Sequence, residues 1–202
     1  KSGSSWLHAV VLEILKVRNI ELSEIPTKYN PNIKSPTRIL EEYLSLFLRN
    51  EDYINTNYLT KLHAFRLETL TINYSENVRF LFIVREVKDA VVSHFHHFNL
   101  YKKLNLSFAR YFALIGIFKA YEMCLFNKRC KDNFNKDLFF SFENLKEDFN
   151  SCVKRLCDII EVKNITDAEI RLIQRNTTLL NMRKIAKDGG NKYYPELGDD
   201  SH

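Results

Sequence analysis

Apolar residues recur at helical spacing in several blocks of the chain. Trp6, Leu7, Val10, Val11, Ile14 and Leu15 mark one face of a first helix. Ile39, Leu40, Tyr43, Leu44 and Phe47 mark a second, with Ser35 as its cap and Pro36 in its first turn. The pattern then changes. Phe80 to Val84 is an unbroken apolar run without alternation, which predicts a short strand buried on both faces. Asp89 is placed to cap a following helix whose face carries Val91, Phe95 and Phe98. Phe108 to Phe126 is apolar nearly all round, which predicts a buried core helix. Leu138 to Phe142 predicts another strand, and Val153, Leu156, Cys157 and Ile160 an amphipathic helix after it. Thr166 and Glu169 stand at capping-box spacing before a helix ending near Asn176. Strand, turn and helix thus recur.

Composition narrows this picture. A chain of 202 residues is one ordinary domain able to bury a sizeable core, and 15 Phe with 10 Tyr make that core aromatic. The net charge of +5 suits an anionic ligand, but Lys and Arg are scattered among Asp and Glu, so no nucleic-acid partner is expected. Cys124, Cys130, Cys152 and Cys157 show neither CxxC spacing nor histidines at metal-site spacing. They read as reduced, packed thiols, which favours a cytoplasmic location. No run reads as a membrane span or a leader.

The candidate chemistry gathers in three places. Lys1 to Leu7, KSGSSWL, is a small-residue loop feeding a helix. Gly3 lets a ligand approach the backbone, the hydroxyls of Ser2, Ser4 and Ser5 and the helix N–H groups donate to oxyanions, and Lys1 adds charge. It is not a Walker A loop, because the lysine precedes the glycine, so an ATP-dependent kinase is disfavoured. Lys61 and His63 stand two apart in an extended segment and share one side, with His63 a candidate general base. Arg85 ends the Phe80–Val84 strand and Ser93 lies in the first turns of the helix after it, which together make an anion site at a strand end. The same stretch is equally consistent with Arg85 pairing to Glu86 or Asp89. His94, His96 and His97 have no carboxylate or cysteine partner at ligand spacing, so no metal is expected.

Taken together, KSGSSWL, the KLH at Lys61 to His63, IVREVKDAVVS at Ile83 to Ser93 and FENLKED at Phe142 to Asp148 resemble, in order and spacing, the sulfotransferases that use 3′-phosphoadenosine 5′-phosphosulfate (PAPS). The resemblance implies a three-layer, P-loop-like α/β fold, a central parallel sheet flanked by helices, in a single domain over 1–202. It implies that Lys1, Ser2, Gly3, Ser4, Ser5 and Trp6 cradle the 5′-phosphosulfate and that Arg85 and Ser93 hold the 3′-phosphate. His63 would be the catalytic base, assisted by Lys61 and Lys1. Trp6, Phe142, Thr177, Thr178, Leu179 and Met182 would surround the adenine. No metal is implied, and the product nucleotide would be adenosine 3′,5′-bisphosphate (PAP).

Several positions depart from that family's pattern. Leu62 replaces a threonine, Phe142 a tyrosine, Leu179 an aromatic residue, and Glu86 and Val87 an Asn-Pro pair that shapes the turn after Arg85. The leading strand and the R-K-G-x-x-G-D-W-K segment that closes over the 3′-phosphate have no counterpart, so the domain is expected to be truncated at both ends. The acceptor is read as a small molecule or carbohydrate, met by the Asn19 to Asn57 and Phe98 to Ser107 regions. A non-catalytic nucleotide-binding module and a P-loop small-molecule kinase are the alternatives.

Overall fold

The structure is a computed structural model. It describes residues 3–29, 39, 41–49, 53–54, 56–61, 78–102, 104–178, 180–182 and 184. Lys1, Ser2, the proposed cap Ser35 with Pro36, His63 and Leu179 lie outside the described residues.

The first helix, α1 (Ser4–Val17), starts directly after Gly3 and buries Leu7, Val10, Val11 and Ile14. Those side chains meet α7 (Phe149–Ile159) and α8 (Asp167–Asn176) in one core cluster, with Val153, Leu156, Ile170 and Ile173 from the two later helices. Phe140 and Leu145 belong to the same cluster. Each of the later helices is capped as its sequence dictates. Asp148 accepts from the Ser151 amide, and Thr166 and Glu169 form a reciprocal capping box. A smaller cluster of Ile25, Tyr29, Ile39, Leu44 and Phe47 gathers around α2 (Glu41–Arg49).

Two strands, β1 (Phe82–Val84) and β2 (Phe139–Ser141), pair in parallel in the register Phe82 to Phe139, Ile83 to Phe140 and Val84 to Ser141. Parallel neighbours need a long crossover, and helices supply it. These are α3 (Val87–Lys102), then a continuous helical run of α4 (Phe108–Tyr111), a π-helical turn (Phe112–Gly116) and α5 (Ile117–Asn133). A short helix, α6 (Phe142–Glu147), continues from β2 without a break and is capped by Ser141, whose hydroxyl accepts from the Asn144 amide at 2.9 Å.

Four expectations change here. The strand after Phe80 is shorter than its apolar run and only half-buried along its length. Among the described residues β1 has a ladder partner on one side only, and its Phe82 ring stacks on Phe139 at 4.7 Å, at the margin of the main cluster. Asp89 is not the cap of α3: the helix is already under way at Val87, with the Ala90 amide bonding back to the Glu86 carbonyl, and Asp89 sits in the first turn. Its carboxylate still suits the positive end of the helix dipole.

The largest difference concerns Phe108 to Phe126. Tyr111 is fully buried, where its hydroxyl meets His94 Nδ1 and its ring packs against Phe95 and Phe98 of α3. Gly116 is buried beside it; a Cβ there would come within 3.1 Å of the Tyr111 ring and 2.8 Å of Phe112. Most of the remaining apolar side chains face outward, with Leu114 and Phe118 each 66% exposed and Tyr121 67%. An apolar composition on every side leaves the buried face undetermined, and the π turn, which takes an additional residue, rotates the helical residues beyond it. Cys124 on the same helix is exposed, contrary to the reading of four packed thiols; Cys130, Cys152 and Cys157 are buried and free.

Candidate functional site

The site assembles at the carboxyl ends of β1 and β2, where α/β sheets characteristically meet ligands. Gly3 adopts a left-handed conformation, φ 90°, just ahead of α1. Its carbonyl accepts the Trp6 and Leu7 amides at 2.9 and 3.0 Å, so the helix is wound from its first residues and the earlier N–H groups have no intrahelical acceptor. A glycine is required here twice over. Positive φ disfavours a side chain, and a Cβ would lie 2.5 Å from Cδ2 of the Phe142 ring.

Phe142 connects the parts of the site. It is the first residue of α6, delivered by β2, and its ring meets the edge of Trp6 with centroids 5.4 Å apart. The Arg85 guanidinium lies over the same ring at 4.5 Å. Arg85 comes directly after β1, and among the described residues it makes no ion pair with Glu86 or Asp89, the alternative its sequence neighbours had left open. Stacking suits a planar, delocalised cation and leaves its N–H edge free to bind. Its Nε is buried without a hydrogen-bond partner, a donor whose chemistry fits an anion.

Lys61 reaches the first loop from another direction: its ammonium donates to the Ser5 hydroxyl at 3.0 Å. Residues far apart in sequence, Gly3 to Trp6, Lys61, Arg85 and Phe142, are thus joined through direct contacts. Ser93 is half-buried on α3.

The residues read as an adenine pocket divide. Met182 is buried with Ala9 and Leu12, and Trp6 packs against that cluster, so Met182, Trp6 and Phe142 form a chain of neighbours. Thr177 does not offer its hydroxyl: it is 1% exposed and donates to the Ile173 carbonyl at 2.8 Å, closing the last turn of α8. Thr178 is exposed, donating to the Arg175 carbonyl and accepting from the Asn181 amide.

A model of the family described as the sulfotransferase domain matches residues 1–193. The chain belongs to this family. It is 23% identical over 216 residues to "Cytosolic sulfotransferase 6" of Arabidopsis thaliana, covering 93% of this chain and 64% of that protein. It also superposes on a crystal structure of a mouse sulfotransferase complexed with PAP, with a TM-score of 0.60 and 19% identity, over 91% of this chain and 62% of that one. The second likeness establishes the α/β sulfotransferase fold. The chain therefore spans less than two thirds of the length of both relatives.

Within this sulfotransferase domain, sequence reasoning passed over one feature of the site. A groove of about 470 Å³ is lined by Arg85 and its neighbours and by residues of α5, Lys128 and Lys131 among them. Cys124, Asn127, Lys128 and Lys131 recur at intervals of three and four, which would have placed them on one helical face. Nothing in the sequence indicated that this face meets the strand ends.

Proposed function

We propose that this sulfotransferase-domain chain binds PAPS and moves its sulfuryl group to a hydroxyl or amine of a small-molecule or carbohydrate acceptor. The observation that carries the reading is the Phe142 ring, which lies against Gly3 of the first loop on one hand and under Arg85 on the other. The first loop and Arg85, read as the two oxyanion-binding segments, thus both touch one aromatic ring, which supports a nucleotide that carries phosphate groups at two positions of its ribose.

In this reading the N–H groups and hydroxyls after Gly3, with Lys61 and Lys1, neutralise the 5′-phosphosulfate. Arg85 and Ser93 take the 3′-phosphate. Trp6, Phe142 and Met182 flank the adenine with Thr178 and Leu179, and the Thr177 hydroxyl remains with its helix. His63 removes the acceptor proton as the acceptor oxygen or nitrogen bonds to sulfur; the bond from sulfur to the bridging oxygen of the 5′-phosphate breaks, and PAP departs with that oxygen and its electron pair. Lys61 lies beside Ser5, where it can offset the charge that develops on the leaving phosphate. The reading requires no metal. Three thiols buried in reduced form and the cytosolic relative favour a cytoplasmic site of action.

The test is transfer of labelled sulfate from PAPS to a panel of phenols, sterols, amines and sugars. Replacement His63→Ala should lower turnover by about 10²- to 10⁴-fold while leaving PAP binding by calorimetry unchanged. Turnover equal to the unaltered protein would remove His63 from its role, and a chain with no affinity for PAP would remove the reading altogether.

A further inference from the structure

We infer that Lys128 and Lys131 of α5 form a second cationic wall for the nucleotide's 3′-phosphate, facing Arg85 across the groove at the strand ends. The inference rests on the PAPS reading of the site. None of the motifs that carried the family resemblance includes either lysine.

The groove has about 470 Å³, within the range of small-molecule sites, and it is bounded by Val84 to Val87 at the end of β1, by Ser141 and Glu143 at the end of β2, and by α5. Arg85 lines it from the strand side. Its guanidinium is fixed against Phe142, so its donors are oriented before any ligand arrives. Lys128 and Lys131 enter from the helix side, one turn apart on the same face. Both are exposed, and among the described residues neither makes an ion pair or hydrogen bond, unlike Lys119 on the same helix, which is held by Glu122 at 2.6 Å. Two uncommitted ammonium groups and Arg85 line one groove, a three-cation cleft with room for a phosphate.

The cleft also holds Glu86, Asp132 and Glu143, and these set what it selects. The Glu143 carboxylate accepts the Glu86 amide at 3.4 Å and so faces the turn after Arg85. Asp132 lies one turn beyond Lys128 on α5, and in the absence of ligand its charge opposes the entry of an anion. A singly charged group gains little in such a mixed lining. A phosphate dianion, able to engage Arg85 and both lysines together, gains most. The lysines therefore act on discrimination between a 3′-phosphorylated adenosine nucleotide and one without that phosphate.

The experiment is calorimetry on the full chain with adenosine 3′,5′-bisphosphate and adenosine 5′-monophosphate, for the unaltered protein, Lys128→Ala/Lys131→Ala and Asp132→Asn. The double variant should bind the bisphosphate about tenfold more weakly, with a shallower salt dependence, and the monophosphate as before. Asp132→Asn should tighten bisphosphate binding about two- to threefold. All three positions are exposed, so the variants should fold. If the unaltered chain binds the bisphosphate and the double variant binds it equally well, or loses affinity for both nucleotides alike, the lysine assignment is overturned and the PAPS reading stands. If the unaltered chain binds neither nucleotide, the PAPS reading falls and the assignment falls with it.

Discussion

Gly3 lies so close beneath the Phe142 ring that a Cβ on it would sit 2.5 Å from ring carbon Cδ2 and 3.3 Å from Ile83. The first loop and the second strand's end are therefore fitted to one another at a position that also needs a positive φ. Gly3→Ala should destabilise the protein by about 2 kcal/mol or more, from overpacking together with backbone strain. The two contributions separate in a double-mutant cycle. Phe142→Ala removes the ring and should recover the overpacking part, leaving the φ penalty, so the pair should be less destabilised than the sum of its singles in urea unfolding. Strict additivity would show that the loop does not pack on the ring.

Lys61 and Ser5 meet at 3.0 Å, which ties the segment before His63 to the oxyanion loop. Under the PAPS reading this contact matters for turnover more than for folding, because it holds an ammonium where charge develops on the leaving phosphate. Ser5→Ala should lower kcat about three- to tenfold while stability moves by less than about 1 kcal/mol. Lys61→Met should lower kcat by about 10²-fold, and adding Ser5→Ala to it should cost little more. Steady-state kinetics on the four proteins checks this; independent, multiplicative losses would mean that the two side chains act separately.

The four cysteines should divide by reactivity. Burial pushes the Cys130 and Cys157 thiols up to about 11, and Cys152 is also raised by burial, partly opposed by Arg155. Only thiolate attacks a disulfide reagent, so at pH 8 the buried groups lose both access and nucleophile. A native chain should release one fast equivalent from an aromatic disulfide reagent, assigned to the exposed Cys124, and four after denaturation. Two or more fast equivalents in the native protein would contradict the burial of Cys130 on α5 or of Cys152 and Cys157 on α7.

Much of this architecture was legible in the chain because its signals are local. The faces of α1 and α7 come from apolar spacing alone, and Thr166 with Glu169 announced α8 to the residue. The run from Phe108 to Phe126 was not legible because it is apolar in every direction: which side is buried depends on where Tyr111 and Gly116 meet α3, a long-range fact. The same limit governs the site. Arg85 could be placed at a strand end from sequence, but its stacking partner is the first residue of α6, and Lys128 and Lys131 reach the groove from α5 of the crossover. The contact of Lys61 with Ser5 of the first loop follows from no spacing rule in the sequence.

Acid should weaken the junction between α1 and α8. Glu169 Oε2 accepts from the Thr166 amide at 2.7 Å and the Thr166 hydroxyl at 2.8 Å, and Arg18 from the end of α1 reaches the same oxygen at 3.2 Å. Arg18 also donates to the Asn164 carbonyl at 2.6 Å, so the charge is fixed to the loop that leads into α8. These donors, the Thr166 backbone bond foremost, hold the Glu169 carboxyl below its ordinary value of 4.5. A carboxylate with a lowered native pKa contributes stability that is fully present above the unfolded value, and the contribution is lost as pH falls through the native one. Unfolding free energy should therefore drop between about pH 5 and the native pKa, and Glu169→Gln, which keeps an acceptor but not the charge, should flatten that part of the profile while lowering stability at pH 7. Thr166→Ala should cost about 1 kcal/mol at neutral pH, as loss of a helix cap does. The measurement is urea unfolding of the three proteins from pH 7 to pH 3. A Glu169→Gln profile parallel to that of the unaltered chain would show that the carboxylate titrates alike in the folded and unfolded states.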